Sequence, residues 1–361
     1  MHRRAPPQRR DVRGVGGAPA CPRRPHARDP PRPGARVTAA TRRQGPADSP
    51  VAQRKVVAMG GGHGLAASLS ALRYLPAAIT AIVTVADNGG SSGRLREELG
   101  VLPPGDLRQA LAALCGEDEW GRTWAKVLQH RFESPGELNG HALGNLLIVG
   151  LWELLGDHVG GLDLIGQLLG ARGRVLPMSS LPLDIAASVR ADDGSIGEVR
   201  GQAAVATTAG DVLGVRLDPA DPPASPDALA AVREAEWVVV GPGSWFTSVI
   251  PNLLVPDLSL ALHETAARRM VVLNLAPQPG ETEGFSPERH LQVLGEHAPE
   301  LTIDVVLADR AAVTDEGRLR AAAAELGAEV VLEAVAVGDG NPRHDPLRLA
   351  AAYERIMRTS P

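Results

Sequence analysis

The chain has 361 residues, 44% of them hydrophobic, which excludes wholesale disorder and allows one large domain or two ordinary ones. Its net charge of −5 hides a division: residues 1–54 hold 13 of the 37 basic residues and three of the 42 acidic ones, a net of +10, and the remainder carries −15. So acidic a body argues against a nucleic-acid surface, and no run approaches the roughly 18 apolar residues of a membrane span.

Residues 1–50 are rich in Arg and Pro, without apolar periodicity and without the hydrophobic stretch of a secretory signal. Ten prolines there oppose the amphipathic helix of a transit peptide. This stretch reads as a disordered basic tail or as sequence upstream of the natural start, and the folded domain is expected over 51–361. From Lys55 onward strands and helices alternate. Lys55–Gly60 and Ile79–Ala86 are continuous apolar runs, as in parallel strands covered on both faces, with a helix over Leu65–Leu75 between them. Asp106–Arg131 and His141–Leu169 read as helices, a cluster near the expected ligand cleft. Leu183–Arg190, Glu198–Thr208 and Val212–Leu217 read as short strands. Further strands at Trp237–Gly241, Met270–Leu275, Ile303–Ala308 and Val330–Leu332 alternate with helices at Pro226–Ala235, Leu258–Arg268, Pro287–His297 and Arg318–Leu326. A last helix, Pro346–Met357, is expected outside the sheet. This rhythm predicts an α/β fold: a doubly wound, mostly parallel Rossmann-like sheet with an additional helical cluster and a small β excursion. Two cysteines, Cys21 and Cys115, make neither a disulfide framework nor a zinc spacing, and a reducing cytoplasm is the expected setting.

Four loops carry the chemistry. Gly60-Gly61-Gly62-His63-Gly64 joins the first strand to a helix, where glycines let backbone N–H groups approach phosphate oxygens. Gly62, Gly64 and Ala67 also fit the dinucleotide pattern G-x-G-x-x-[GA], with Asp87 beyond the next strand, so NAD is a rival ligand and a bare tight turn the plain alternative. The second loop, Asp87-Asn88-Gly89-Gly90-Ser91-Ser92-Gly93-Arg94, offers several donors to an anion and one carboxylate; capping by Ser92 alone does not explain its richness. In the third, Pro103-Pro104-Gly105-Asp106-Leu107-Arg108, Asp106 suits a helix N-cap as well as a catalytic role. Arg108 opposes the helix dipole there, which hints at an anion. Downstream, Asn139 precedes His141 and Asn145, four apart on one helix face. The fourth loop, Gly241-Pro242-Gly243-Ser244 with Thr247, again follows a strand, and Asn274, Gln278, Glu281 and Thr282 follow the next. Glycine loops on successive strand ends converge where open α/β sheets bind ligands. Asp87, Asp106, His141 and Glu281 are the available acid–base groups, with Asp87 and Asp106 the catalytic candidates. No Walker lysine, HExxH, Ser-His-Asp order or zinc pattern occurs.

The motifs GGGHG at 60–64, TVADNGGSSGRLR at 84–96, LPPGDLR at 102–108, GHALGN at 140–145, GPGSWFTSVIPNLLVP at 241–256 and QPGET at 278–282 resemble, in this order, the YvcK (GlmR) gluconeogenesis-factor family of the 2-phospho-L-lactate transferase (CofD-like) superfamily. The histidine in GGGHG is similar to actinobacterial members. The resemblance implies a cytoplasmic factor needed for gluconeogenic growth, cell shape and peptidoglycan supply. It implies binding of UDP-sugars such as UDP-N-acetylglucosamine, and a protein partner in amino-sugar synthesis; a homo-oligomer is compatible with it. No cofactor is expected, and Mg²⁺ enters only if the chain is a transferase. Where the family carries two aspartates this chain has Asp87-Asn88, which keeps the oxygen but loses a charge and lowers the expectation of a tightly held Mg²⁺.

Overall fold

Apolar runs without polar alternation become the central strands, because a strand covered on both faces has no wet side to show. The computed structural model describes residues 53–191 and 193–359; the basic tail expected over 1–50 lies outside them. The first half runs β1 (Arg54–Gly60), α1 (Gly62–Leu72), β2 (Ala77–Val83), α2 (Gly90–Leu99), α3 (Gly105–Leu114), α4 (Glu119–Gln129), α5 (Leu143–Leu155), α6 (His158–Leu169) and β3 (Arg174–Pro177). An excursion follows: β4 (Asp184–Arg190), β5 (Ile196–Arg200), α7 (Gln202–Val205) and β6 (Asp211–Asp218). The second half runs α8 (Pro226–Glu234), β7 (Trp237–Val240), a π-helical turn (Trp245–Val249), α9 (Ile250–Leu253), α10 (Pro256–Glu264), β8 (Arg268–Val272), α11 (Pro287–His297), β9 (Val305–Asp309), α12 (Glu316–Glu325), β10 (Glu329–Glu333) and α13 (Pro346–Thr359).

Seven strands form one sheet in the order β10-β9-β8-β7-β1-β2-β3, every neighbouring pair parallel. The chain winds outward from β1 through β2 to β3, then resumes at β7 on the other side of β1 and winds the opposite way. With right-handed crossovers this reversal puts the two sets of helices on opposite faces, and loops after β1 and β7 part to leave a crevice. That is the predicted doubly wound sheet. The predicted β excursion is a separate antiparallel sheet, β5-β4-β6. Helix α13 lies outside the sheet as expected, against α1: the Tyr353 hydroxyl is 2.7 Å from Ser68 Oγ, which lies 3.0 Å from the Gly241 carbonyl.

Several boundaries differ from the sequence reading. The stretch 106–131 divides at Cys115–Asp118, where the Asp118 side chain accepts from the Gly121 N–H and starts α4. The stretch 141–169 divides at Gly156, whose φ of 65° ends α5, and Asp157 caps α6 by accepting from the Val159 N–H. The segment 198–208 is not one strand: β5 stops at Arg200, and Gly201 turns the chain into α7. Strand β3, four residues ending in proline at the sheet edge, escaped the apolar-run criterion.

Candidate functional site

The first and fourth loops meet at the reversal between β1 and β7. A Cβ on Gly64 would run into the Pro242 carbonyl oxygen and the Gly243 Cα, so the two turns lie backbone against backbone. Asn274, just past β8, fixes the fourth loop from its far side: its Oδ1 accepts from the Gly243 N–H at 2.9 Å and its Nδ2 donates to the Gly243 carbonyl at 2.8 Å. Gly61, Gly62, His63 and Gly64 thereby share one cleft of about 820 Å³ with Pro242, Gly243, Ser244, Thr247, Asn274 and Gln278. Gly241 stands behind it at φ +75, its carbonyl facing Ser68.

Asp106 enters the same cleft from α3. It is 6% exposed, and its Oδ2 is buried without a hydrogen-bond partner. Burial, then the charge of Asp87, push its carboxyl up to about 7, against the nearby Gly62 N–H dipole and the charge of Arg108; its Oδ1 accepts from Gln109 Nε2 at 3.4 Å. Asp87 is not part of the cleft wall. Its Oδ1 accepts from the Gly89 N–H at 2.8 Å, and its Oδ2 lies with Ser92 against the space beside Gly105. Asn88 Oδ1 accepts from the Ala203 N–H at 3.0 Å and so ties the β excursion to the second loop. Gly90, at φ +48, opens α2 on the surface.

The remaining candidates form a second, adjoining group. Ser91 Oγ accepts from the Ala142 N–H at 3.3 Å and from Asn145 Nδ2 at 3.0 Å, which leaves its own proton for His141 Nδ1 at 3.1 Å. Burial, then the charge of Arg94, lower the pKa of His141. Arg94 donates to the carbonyls of Glu137 and Asn139, and the Asn139 side chain accepts from the Ser134 N–H, so both hold the 134–139 turn. Arg108 is 3% exposed and bonds Gln129 Oε1; burial and Arg131 lower its pKa to about 10. None of these residues lines the cleft.

Glu281 and Thr282 serve the backbone. Glu281 Oε1 accepts from the N–H groups of Phe246 and Thr247 at 2.9 and 2.8 Å, and Ser244 donates to its other oxygen, so this carboxylate caps the π-helical turn. Burial raises its pKa. Thr282 is fully buried and its hydroxyl accepts from the Gln278 N–H.

Two walls of the cleft carry no glycine-loop signature and were missed. One is α7 with its flank, through Gln202, Ala203 and Ala206; the other precedes α13, through Val337, Pro342, Arg343 and His344. Arg343 pairs with Asp339 at 2.5 Å. Burial holds His344 down to about 4, and its Nε2 has no partner. The only sequence signal was the basic pair itself, between the strand expected at Val330–Leu332 and the helix expected from Pro346. Among the described residues no group of three or more His, Cys, Asp or Glu side chains is placed to hold a metal ion, and Asn88 is engaged by Ala203, so these residues do not fit a resident cation. Nor is any single described helix long and apolar enough to cross a membrane.

Fold and cleft together define an open α/β protein with a cleft at the topological switch point of its sheet. Residues 56–338 match the family described as 2-phospho-L-lactate transferase CofD. A Mycobacterium tuberculosis protein named as a candidate gluconeogenesis factor is 54% identical over 83% of this chain and 90% of its own. The gluconeogenesis factor of Halalkalibacterium halodurans is 40% identical over 73% of this chain and 80% of its own. A crystal structure of a UPF0052-family protein from Bacillus halodurans superposes with a TM-score of 0.74 at 36% identity, covering 83% of this chain and 98% of that one. The chain belongs to the CofD-like family, in its gluconeogenesis-factor branch.

Proposed function

We propose that the chain binds a phosphorylated nucleotide, a UDP-sugar such as UDP-N-acetylglucosamine, in the cleft between the loops after β1 and β7, and acts as a regulator. One observation carries this reading: two glycine turns some 180 residues apart are packed backbone on backbone and open onto one cleft. Turns at strand ends present N–H groups to phosphate, and the remaining volume suits a nucleoside and a sugar. The names of the relatives support a role in gluconeogenesis. We assign it to the cytoplasm, where nucleotide sugars are made, acting through a protein partner on the amino-sugar supply for peptidoglycan and cell shape. A thermal-shift titration tests it: ligand at about 100 times Kd stabilises the fold by about 2.7 kcal/mol, and an unmoved midpoint with UDP-N-acetylglucosamine contradicts it.

One observation favours a second reading, a transferase of phosphoryl-linked or nucleotidyl groups. The Asp106 carboxyl, held at about 7 inside the cleft, suits proton transfer near neutral pH. UTP with a sugar 1-phosphate and Mg²⁺ is the assay, and absence of turnover across sugar phosphates counts against it. NAD is less well served, since the Asp87 carboxylate is turned onto Gly89 rather than into the cleft; competition between NAD and the nucleotide sugar separates the two ligands.

A further inference from the structure

Helix α1 runs 11 residues from a glycine N-cap, Gly61, with no side chain of its own capping it and no acidic residue in its first turn. The N–H groups at this end are those a phosphate would take. Asp106, from a different helix, stands beside them. Its Oδ1 accepts from Gln109 Nε2 at 3.4 Å and lies 4.0 Å from where a Gly62 Cβ would project. Its Oδ2 stands 2.5 Å from where a Gly61 Cβ would project, and that buried oxygen has no partner of its own. Were Gly61 any other residue, the carboxylate would have no room.

We infer that Asp106 is a built-in competitor for the anion position of the first glycine loop, so that a ligand phosphate enters only when this carboxylate has taken up a proton. The inference rests on the nucleotide-sugar reading and concerns how that site is regulated. Ionised, Asp106 is acceptor-only and repels phosphate; protonated, it gains a donor hydrogen for the incoming oxygen. Its surroundings set the balance. Asp87, beyond β2, repels the carboxylate, and Arg108 in the same first turn of α3 attracts it. Thr84 and Ser248, its other neighbours around Gly61, are uncharged. His63 on α1, with Arg343 and His344 ahead of α13, are the other charged or titratable groups lining the cleft. Burial and Asp87 outweigh Arg108 and the Gly62 N–H dipole, which puts the change of state near neutrality.

The test is calorimetric titration of UDP-N-acetylglucosamine, whose diphosphate diester stays doubly ionised throughout, into the full chain and into Asp106→Asn. EDTA excludes divalent cations, and the runs are made near pH 6 and near pH 8.5 in two buffers of different ionisation enthalpy. The wild type is expected to bind at least about tenfold more tightly at the lower pH and to draw a proton from the buffer at the higher. Asp106→Asn is expected to bind equally at both, at least as tightly as the wild type near pH 6. Wild-type binding that is equal at the two pH values, or an Asn variant weaker than the wild type near pH 6, overturns the inference and leaves the nucleotide-sugar reading standing. If neither protein binds at either pH, that reading falls and this inference with it. Should the variant fail to fold, the two wild-type arms still decide.

Discussion

Burial holds the Asp106 carboxyl at about 7, against an ordinary 3.8. The folded chain then keeps a proton that the unfolded chain loses, so stability falls as pH rises from about 4 to 7 and stays at the lower level above. The drop is on the order of 4 kcal/mol. Asp106→Asn removes this slope, and the variant should be more stable than the wild type at pH 8 but not at pH 4, as urea unfolding at the two pH values will read. Glu281 works differently. Deleting its side chain leaves the buried Phe246 and Thr247 N–H groups unpaired, a loss of about 2–4 kcal/mol for Glu281→Ala. Glu281→Gln keeps an acceptor and should lose clearly less, read as the shift in urea midpoint at unchanged slope.

At the scale of the elements, the contact between loops is the sensitive feature. Gly64→Ala aims a methyl group at the backbone of Pro242 and Gly243, which cannot swing away as a side chain would. The two turns must part, at a cost of about 1–3 kcal/mol, and nucleotide-sugar binding should fall at least about tenfold while the circular dichroism spectrum is retained. Gly150→Ala is the control: on α5, with nothing within 4 Å of its Cβ position, it should stabilise the chain by about 0.5–1 kcal/mol. The same elements show what a sequence can reveal. β1, β2, β7 and β8 were legible because strands buried on both faces are continuously apolar, and the glycine turns because they sit directly after them. The walls from α7 and from 337–346 were not, since nothing in Gln202, Ala203, Arg343 or His344 announces a partner far along the chain. Glu281 was legible as a loop carboxylate near the site, but its capping of Phe246 and Thr247 depends on a contact across 34 and 35 residues. Ser91 was a ligand candidate, as were His141 and Asn145 from one helix face; the three meet, but bond one another outside the cleft lining.

For the whole molecule, one sheet reversal organises everything else: it places the loops after β1 and β7 side by side, and the helices, the β excursion and the segment ahead of α13 wall the cleft they leave. A crystal structure of the chain grown with UDP-N-acetylglucosamine near pH 6 asks whether that cleft is where the ligand goes. The diphosphate is expected within hydrogen-bond distance of the backbone N–H groups at Gly61–Gly64 and Gly243–Ser244, with Asp106 donating to it or turned away from Gly61. A nucleotide sugar bound elsewhere on the molecule, with Asp106 still beside Gly61 and the cleft holding only solvent, would contradict it.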